Sequence, residues 1–114
     1  MEDCIFCRIV RGDIPAKKVL ETNDVLAFDD INPTAPVHVV VVPKKHIATL
    51  NDADDADARL LGALLLAARG VAAAKGLSQD GYRSVINTMP GAGQVVLHVH
   101  MHVIGGRELD WPPG

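Results

Sequence analysis

The sequence carries little excess charge of either sign. Its 11 lysines and arginines stand against 14 acidic residues, so the formal net charge is only -3 at pH 7. A protein that binds nucleic acid through the phosphate backbone needs a basic surface, because most contacts to that polyanion come from lysine and arginine. The composition therefore argues against nucleic acid as the main partner, whereas a small phosphate ligand needs no such field.

Cysteine is also scarce, with Cys4 and Cys7 as the two examples. Two cysteines do not make the disulfide framework of a small secreted domain. The first seven residues contain two acids and no long apolar stretch, so we expect neither a secretory signal nor a membrane span. These absences predict a cytoplasmic protein, without a membrane partner, whose thiols are either reduced or bound to a metal.

Internal repeats, low-complexity blocks and long linkers rich in proline or glycine are missing as well. Nothing divides the chain, and its 114 residues suit one compact domain, which we assign to residues 1–114. Hydrophobic residues make up 48% of the sequence, which is sufficient for one core. A domain this short buries a modest fraction of its surface, so oligomerisation or a metal could add to its stability.

The sequence does contain several short β-prone runs around one helical segment. Strands are predicted for residues 17–21, 25–28, 37–42, 83–87 and 95–104. A main amphipathic helix is predicted for residues 54–75. Its apolar face would comprise Leu60, Leu61, Leu64, Leu65, Ala68, Val71 and Ala72. Strands, helix and strands in this order predict an α+β domain with an antiparallel sheet of about five strands.

The segment from His98 to Ile104 alternates histidine with apolar residues. Successive side chains of a strand point to opposite faces, so the imidazoles at positions 98, 100 and 102 would share one face. Val99, Met101 and Val103 would face the core. Buried imidazoles each need a polar partner, and nothing on an open surface selects imidazole three times in register. We therefore expect a functional site on the histidine face.

Two chemistries fit three imidazoles in register. Three histidines and a water can hold a catalytic zinc ion. Alternatively, one imidazole attacks phosphorus as a nucleophile and leaves again afterwards, which divides one difficult displacement into two easier steps. Gly91, Gly93 and Gln94 precede the strand and favour phosphate chemistry, because a loop that contains glycine brings backbone N–H groups close to an anion.

A family signature lies in the same run of histidines. Its order His-Val-His-Met-His-Val-Ile resembles the His-φ-His-φ-His-φ-φ signature of the histidine-triad (HIT) superfamily, where φ is a hydrophobic residue. Residues 28–33, 35–38 and 42–47 and the terminal Trp-Pro-Pro-Gly of residues 111–114 are similar to its branch of histidine-triad nucleotide-binding proteins (HINT). This resemblance covers nearly the whole chain. It implies a HIT-like fold and a homodimer whose protomers join their sheets.

The resemblance also implies a ligand and a reaction. The ligand would be a purine nucleoside monophosphate or phosphoramidate, and the phosphorus–nitrogen bond would be hydrolysed through a covalent nucleotidyl-histidine. His100 would be the nucleophile and His102 would contact phosphate oxygens, with His38 and His98 completing the catalytic imidazole network. Asp30 would bind the ribose hydroxyls, since an ionised carboxylate accepts from both of them. Further nucleotide contacts would come from Phe6, Ile14, Phe28, Ile31 and Val40 around base and sugar, and from Asn87, Gly93, Gln94 and Val95 at the phosphate.

Val95 is a departure from the branch, which often has a hydroxyl residue directly after the Gly-Gln pair. A hydroxyl can donate to phosphate or to the departing amine, whereas valine offers only its backbone N–H. Two alternative functions stay open. One is a dinucleoside polyphosphate hydrolase built on the same triad, against which the terminal Trp-Pro-Pro-Gly argues. The other is a nucleotide-binding scaffold without enzymatic activity.

The pair of cysteines has a place in the resemblance too. By itself, a Cys-x-x-Cys pair could be redox-active or have no role. In HIT relatives that carry these cysteines, the positions of His46 and His98 complete a Cys2His2 tetrahedron, so the resemblance implies that Cys4, Cys7, His46 and His98 bind zinc. Four protein ligands close the coordination shell, which would make this zinc structural rather than catalytic.

Overall fold

The computed structural model describes residues 3–114. Its framework is a five-stranded antiparallel sheet with one long helix packed on it. The strands are β1 (Lys18–Glu21), β2 (Val25–Asp29), β3 (Val37–Pro43), β4 (Tyr82–Ile86) and β5 (Met101–Gly105), and the helices are α1 (Ile5–Val10) and α2 (Ala58–Ala74). The order across the sheet is β1-β2-β3-β5-β4. The predicted α+β class, five antiparallel strands and one main helix are confirmed.

The first two strands form a hairpin around Thr22. Its backbone N–H donates to the carbonyl of Val25 at 2.8 Å, and its hydroxyl accepts from the N–H groups of Asp24 and Val25. A side-chain oxygen thus satisfies the turn, as this residue type commonly does. β2 then pairs with β3 along its whole length. Because β3 is central and buried along nearly all of its length, its dense valine run is explained.

The main helix begins later than the aspartate-rich sequence predicts. Residues 55–57 form a 3-10 turn, in which the Asp54 side chain accepts from the N–H of Ala56 and the Asp57 side chain accepts from the N–H of Asp54. These local bonds compete with an α-helical turn, so the predicted start at residue 54 was wrong by four residues. The helix ends as expected before Gly76, whose φ of +74° suits glycine.

One face of the sheet packs against α2. Leu64, Ala68 and Val71 of the helix lie in one cluster with the helix-facing residues of β3 and β5, among them Val41 and Met101. Leu65 was predicted for this face and is instead 59% exposed. Residue 65 follows Leu64 by one position, which rotates it about 100° around the helix axis and away from the sheet.

The other face of the sheet packs against α1, a short helix that the sequence did not predict. Phe6 and Ile9 of this helix pack with Leu26, Phe28, Val40 and Val42 of the sheet. The Cys4 side chain caps the helix by accepting from the N–H of Cys7. No helix within residues 3–114 is both long and apolar enough to cross a bilayer.

The last strand is shorter than predicted, because β5 begins at Met101 rather than near residue 95. In the register of β3 with β5, Met101 lies opposite Val41, so residue 99 would lie opposite Pro43. Proline has no N–H with which to continue the ladder. The N–H of Val99 donates instead to the carbonyl of Ile47 at 2.7 Å. His98 and His100 therefore lie just outside the regular strand.

Candidate functional site

The ring of His100 is held by the backbone two residues before it. Its Nδ1–H donates to the carbonyl oxygen of His98 at 2.7 Å. Because a carbonyl only accepts, Nδ1 must carry the proton and Nε2 keeps a free lone pair. His100 is 4% exposed, and its ring packs against Phe6 in a T-shaped arrangement with the centroids 5.0 Å apart. In the neutral ring, Nε2 is therefore the nitrogen without a proton.

The second pair of imidazoles has its protons assigned in the same way. The backbone N–H of Thr34 donates to Nδ1 of His38 at 3.1 Å, so the proton of His38 is on Nε2. That Nε2–H donates to Nδ1 of His102 at 2.8 Å. His102 consequently carries its own proton on Nε2. Among residues 3–114, neither Nε2 of His100 nor Nε2–H of His102 has a hydrogen-bond partner, so one ring offers a lone pair and its neighbour an N–H donor.

Asp30 lies at the same site. Its Oδ2 is 3.4 Å from Nε2 of His38, and its Oδ1 accepts from the N–H of Asn32 at 2.8 Å. The backbone N–H of Asp30 donates to the carbonyl of His38 at 2.9 Å. The carboxylate is thereby fixed beside the imidazoles while part of it stays open to solvent.

Burial keeps two of these imidazoles neutral. It lowers the pKa of His102, and the neighbouring His100 and His38 lower that pKa further. Burial also lowers the pKa of His98. His46 and His100 lower this pKa further, whereas the hydrogen bond to the carbonyl of Pro43 raises it. At neutral pH both rings are uncharged, as the assigned protons require.

A loop of residues 88–94, which we call the glycine loop, precedes the histidines. Gly93 has a φ of +92°, and a Cβ added there would lie 3.7 Å from Nδ2 of Asn87, so these two predicted residues are neighbours. The N–H groups of Gly93 and Gln94 donate within the loop to the carbonyls of Pro90 and Met89. The N–H of Val95 has no partner among residues 3–114 and remains available as a donor.

The apolar residues predicted around base and sugar fall into two groups. Phe6, Phe28 and Val40 are buried in the cluster between α1 and the sheet, and Ile14 packs against that cluster. Ile31 is 92% exposed and directly follows Asp30. Phe6 of the first group contacts the rings of His98 and His100, whereas Ile31 exposes its side chain next to Asp30.

A second cluster brings together Cys4, Cys7, His46 and His98, whose ligand atoms lie within 4.8 Å of one another. Nε2–H of His98 donates to the carbonyl of Pro43 at 2.8 Å, so the lone pair of its Nδ1 faces the thiols. Burial raises the pKa of the Cys7 thiol, and the adjacent Cys4 raises it further. A cation here would stabilise both thiolates. These four residues could therefore hold a metal ion.

Asp30, His38 and His102 are also close enough together to be considered as a metal site. Their hydrogen bonds argue against it. The proton on Nε2 of His38 lies in the 2.8 Å bond to His102, where a metal would need lone pairs from both nitrogens. Moving that proton to Nδ1 would set it against the N–H of Thr34. This group is a hydrogen-bond network rather than a metal site.

Comparison with known proteins identifies the family. The HIT domain profile matches residues 11–109. The chain belongs to the HIT domain family. It is 52% identical to an uncharacterized HIT-like protein of Synechococcus elongatus over 113 residues, which are 99% of this chain and 98% of that protein.

Solved structures place the HIT domain among hydrolases. A HIT family hydrolase from Legionella pneumophila Philadelphia 1 has a TM-score of 0.95 at 52% identity, covering 98% of this chain and 100% of that one. A histidine triad nucleotide-binding protein from Candida albicans has a TM-score of 0.83 at 34% identity, covering 96% of this chain and 83% of that one. The chain thus has a HIT family hydrolase fold, which a nucleotide-binding protein shares.

Several groups that shape this HIT site were not predicted from the sequence. The N–H of Thr34 and the carbonyls of Pro43 and His98 fix the protons on three imidazoles. They act through the backbone, which every residue has, so no residue type marks them. The one signal for Pro43 is its residue type, because a proline at the end of a valine run cannot continue the hydrogen-bond ladder.

Proposed function

We propose that this HIT protein hydrolyses purine nucleoside 5′-phosphoramidates, or similar adenylates, to the nucleoside monophosphate and an amine. The observation that carries the proposal is the bond from Nδ1–H of His100 to the carbonyl of His98, which leaves Nε2 unprotonated. Beside it, Nε2–H of His102 is a free donor. A nucleophile next to a donor is the arrangement that displacement at a phosphorus centre requires.

The reaction would proceed in two displacements. Nε2 of His100 attacks phosphorus, a nitrogen–phosphorus bond to the imidazole forms, and the bond to the amine breaks as the amine takes up a proton from solvent. Water then attacks the same phosphorus, gives its proton to solvent, and restores the lone pair on Nε2. The net change is the addition of one water across the phosphorus–nitrogen bond.

The remaining polar groups would bind the substrate. Nε2–H of His102 and the open N–H of Val95 would donate to phosphate oxygens, whose negative charge grows in the transition state. Asn87 beside Gly93 supplies a further amide donor. Asp30 would accept from the ribose hydroxyls, and the exposed Ile31 next to it would contact the base.

We further propose that Cys4, Cys7, His46 and His98 hold a structural zinc ion. With zinc–nitrogen bonds of about 2.0 Å and zinc–sulfur bonds of about 2.3 Å, the tetrahedral edges are about 3.3 Å between two nitrogens, about 3.5 Å between nitrogen and sulfur, and about 3.8 Å between two sulfurs. Nδ1 of His98 lies 3.3 Å and 3.6 Å from the two sulfurs and 3.2 Å from Nδ1 of His46. Cys7 Sγ lies 3.3 Å from Nδ1 of His46. When bound, the ion would supply rigidity and no chemistry at phosphorus.

We also propose that the protein forms a homodimer in which the sheets of the two protomers join. β1 and β4 are the edge strands of the sheet, and an edge strand has unpaired backbone groups that a second copy can use. Trp111 is 82% exposed near the C-terminus. Sedimentation at micromolar concentration tests this, and a stable monomer of about 12 kDa would contradict an obligate dimer.

The enzymatic proposal is tested by its products. The protein is incubated in parallel with adenosine 5′-phosphoramidate, diadenosine polyphosphates and AMP, and phosphorus NMR follows each mixture. We expect AMP to appear from the phosphoramidate much faster than from the dinucleotides. Faster cleavage of the dinucleotides would identify a dinucleoside polyphosphate hydrolase. Binding of AMP without turnover of either substrate would indicate a binding module.

A further inference from the structure

Gln94 differs from the other residues predicted at the phosphate, because its side chain is buried. It is 2% exposed, although it lies directly before Val95, which is 88% exposed. Its Oε1 accepts from the N–H of Met89 at 2.8 Å, and its Nε2 donates to the carbonyls of Ala48 at 2.8 Å and Val96 at 3.1 Å. Both amide protons are in use, so the side chain has no donor left for a ligand.

The bond to Met89 restrains a backbone that is strained. Met89 has φ +75° and ψ +156°, a combination that side-chain-bearing residues rarely adopt. Such a conformation persists only where the surrounding structure holds it. Here the Gln94 carboxamide holds the N–H of Met89, while the carbonyl of Met89 accepts from the N–H groups of Ala92 and Gln94. Gln94, the last residue of the glycine loop, therefore fixes the backbone of Met89 near the start of that loop.

The bond to Ala48 connects this loop to another one. Ala48 lies two residues after His46, and Ile47 between them accepts from the N–H of Val99 at 2.7 Å. The segment that presents His46 to the cysteines is thus tied to the glycine loop by the Gln94 amide. The same amide donates to Val96, whose carbonyl also accepts from the N–H of His98.

We propose that Gln94 is a positioning residue that holds the strained glycine loop against the loop that carries His46, so that metal binding and phosphate binding are linked. This inference rests on the proposed function. A metal that fixes His46 would fix Ala48 and, through Gln94, the loop that presents the N–H of Val95. By thermodynamic reciprocity, the metal and the nucleotide raise each other's affinity by the same factor.

The test compares Gln94→Met with Gln79→Met. Methionine has the length of glutamine without its hydrogen bonds. Because Gln79 is exposed, the control makes the same replacement at a position where the side chain holds no loop in place. Calorimetry gives the dissociation constant of AMP, and hydrogen exchange gives the protection of the Met89 amide. We expect Gln94→Met to weaken AMP binding at least tenfold and to lose protection at Met89, while Gln79→Met keeps both.

A second variant separates the two loops. Gln94→Glu keeps an acceptor for the N–H of Met89 and replaces the donor to Ala48 by an oxygen. We expect protection at Met89 to be retained in part, and the effect of zinc on the AMP dissociation constant to disappear. In the wild-type protein, zinc should tighten AMP binding about fivefold or more, and AMP should tighten zinc binding by the same factor.

Each failure has its own signature. If the wild-type protein binds no AMP, the proposed function fails, whereas protection at Met89 still tests the contact with Gln94. If Gln94→Met binds AMP within twofold of wild type and protects Met89 equally, the inference is wrong. If neither variant folds, the wild-type linkage decides, because an AMP dissociation constant that is the same with zinc and after its removal would overturn the inference.

Discussion

The carbonyl oxygen of His98 accepts the Nδ1–H of His100 at 2.7 Å, while Nδ1 of His98 itself lies 3.3 Å from the sulfur of Cys4. One residue thus contacts the proposed nucleophile through its backbone and the cysteine cluster through its ring. A metal held by that ring would orient His100 without touching the substrate, which is how residues around a metal commonly act on their neighbours.

The first prediction concerns His100. Replacement by alanine removes the lone pair that we propose attacks phosphorus. We therefore expect kcat for adenosine 5′-phosphoramidate to fall at least a hundredfold, which corresponds to about 2.7 kcal/mol or more of transition-state stabilisation. Binding of AMP should survive, since His102 and the glycine loop remain. Steady-state kinetics and calorimetry measure the two effects. A variant that keeps more than about a tenth of the wild-type kcat would rule out the nucleophile assignment.

The second prediction concerns the proton on His38. Its Nε2–H donates to Nδ1 of His102, so a replacement that keeps a donor should do better than one without. We expect His38→Leu to lower kcat at least tenfold. For His38→Gln, we expect the decrease in log kcat to be less than half of the decrease in His38→Leu. KM should change little for the glutamine variant. Equal losses in the two variants would mean that the hydrogen bond does not act in catalysis.

Much of the fold was readable from periodicity. The alternation of histidine with Val99, Met101 and Val103 assigned the buried face of the last segment, and those three residues do pack with α2. The leucine-rich segment gave the main helix. The short α1 was not predicted because six residues are too few to show a helical period. Its N-cap, Cys4, accepts through sulfur and is not one of the usual capping residues.

The residues that meet at the candidate site could be predicted from the sequence, whereas the positions of their protons could not. The histidines, Asp30 and the cysteine pair are marked by residue type and by a family signature. Which nitrogen carries each proton depends on the backbone of Thr34, Pro43 and His98, and those bonds exist only in the folded chain. Gln94 was expected at the phosphate because it lies beside Gly93. The sequence does not show that its side chain turns into the protein.

The third prediction concerns the metal. Protein purified without chelator should contain about one zinc per chain, and its melting temperature should fall on chelation, since binding to the folded state alone stabilises it. Cys4→Ser/Cys7→Ser should contain no zinc and should not respond to added zinc. Elemental analysis and thermal melts measure both. A wild-type stoichiometry far below one, with no shift on adding zinc, would leave Cys4 and Cys7 as plain thiols.

The fourth prediction is a dependence of stability on pH. The pKa of His102 is lowered by burial and by His100 and His38, so the unfolded chain takes up this proton near pH 6.5 while the folded chain resists it. Between pH 6.5 and the lower folded pKa, the unfolded state binds more protons, and stability must fall as pH falls. The slope is at most about 1.4 kcal/mol per pH unit, because the folded and unfolded states differ by no more than one bound proton at this ring.

This contribution is isolated by comparing wild-type protein with His102→Asn, both loaded with zinc, in urea unfolding at pH 7.5, 6.5 and 5.5. The wild type should lose more stability than the variant on going to the lowest pH. Parallel losses would show that His102 takes up its proton equally in the folded and unfolded states.

The last prediction uses two glycines of α2. A Cβ added at Gly62 would meet no atom within 4 Å, whereas one added at Gly70 would lie 2.9 Å from Cδ1 of Leu20 on β1. Alanine in a helix interior is favoured over glycine by about 1 kcal/mol. We therefore expect Gly62→Ala to raise the free energy of unfolding by about 0.5 to 1 kcal/mol. Gly70→Ala should gain nothing or lose stability, because Leu20 packs against the core and must shift to make room. Urea unfolding of both variants in one buffer measures the difference. A loss of stability in Gly62→Ala would contradict the open space beside Gly62.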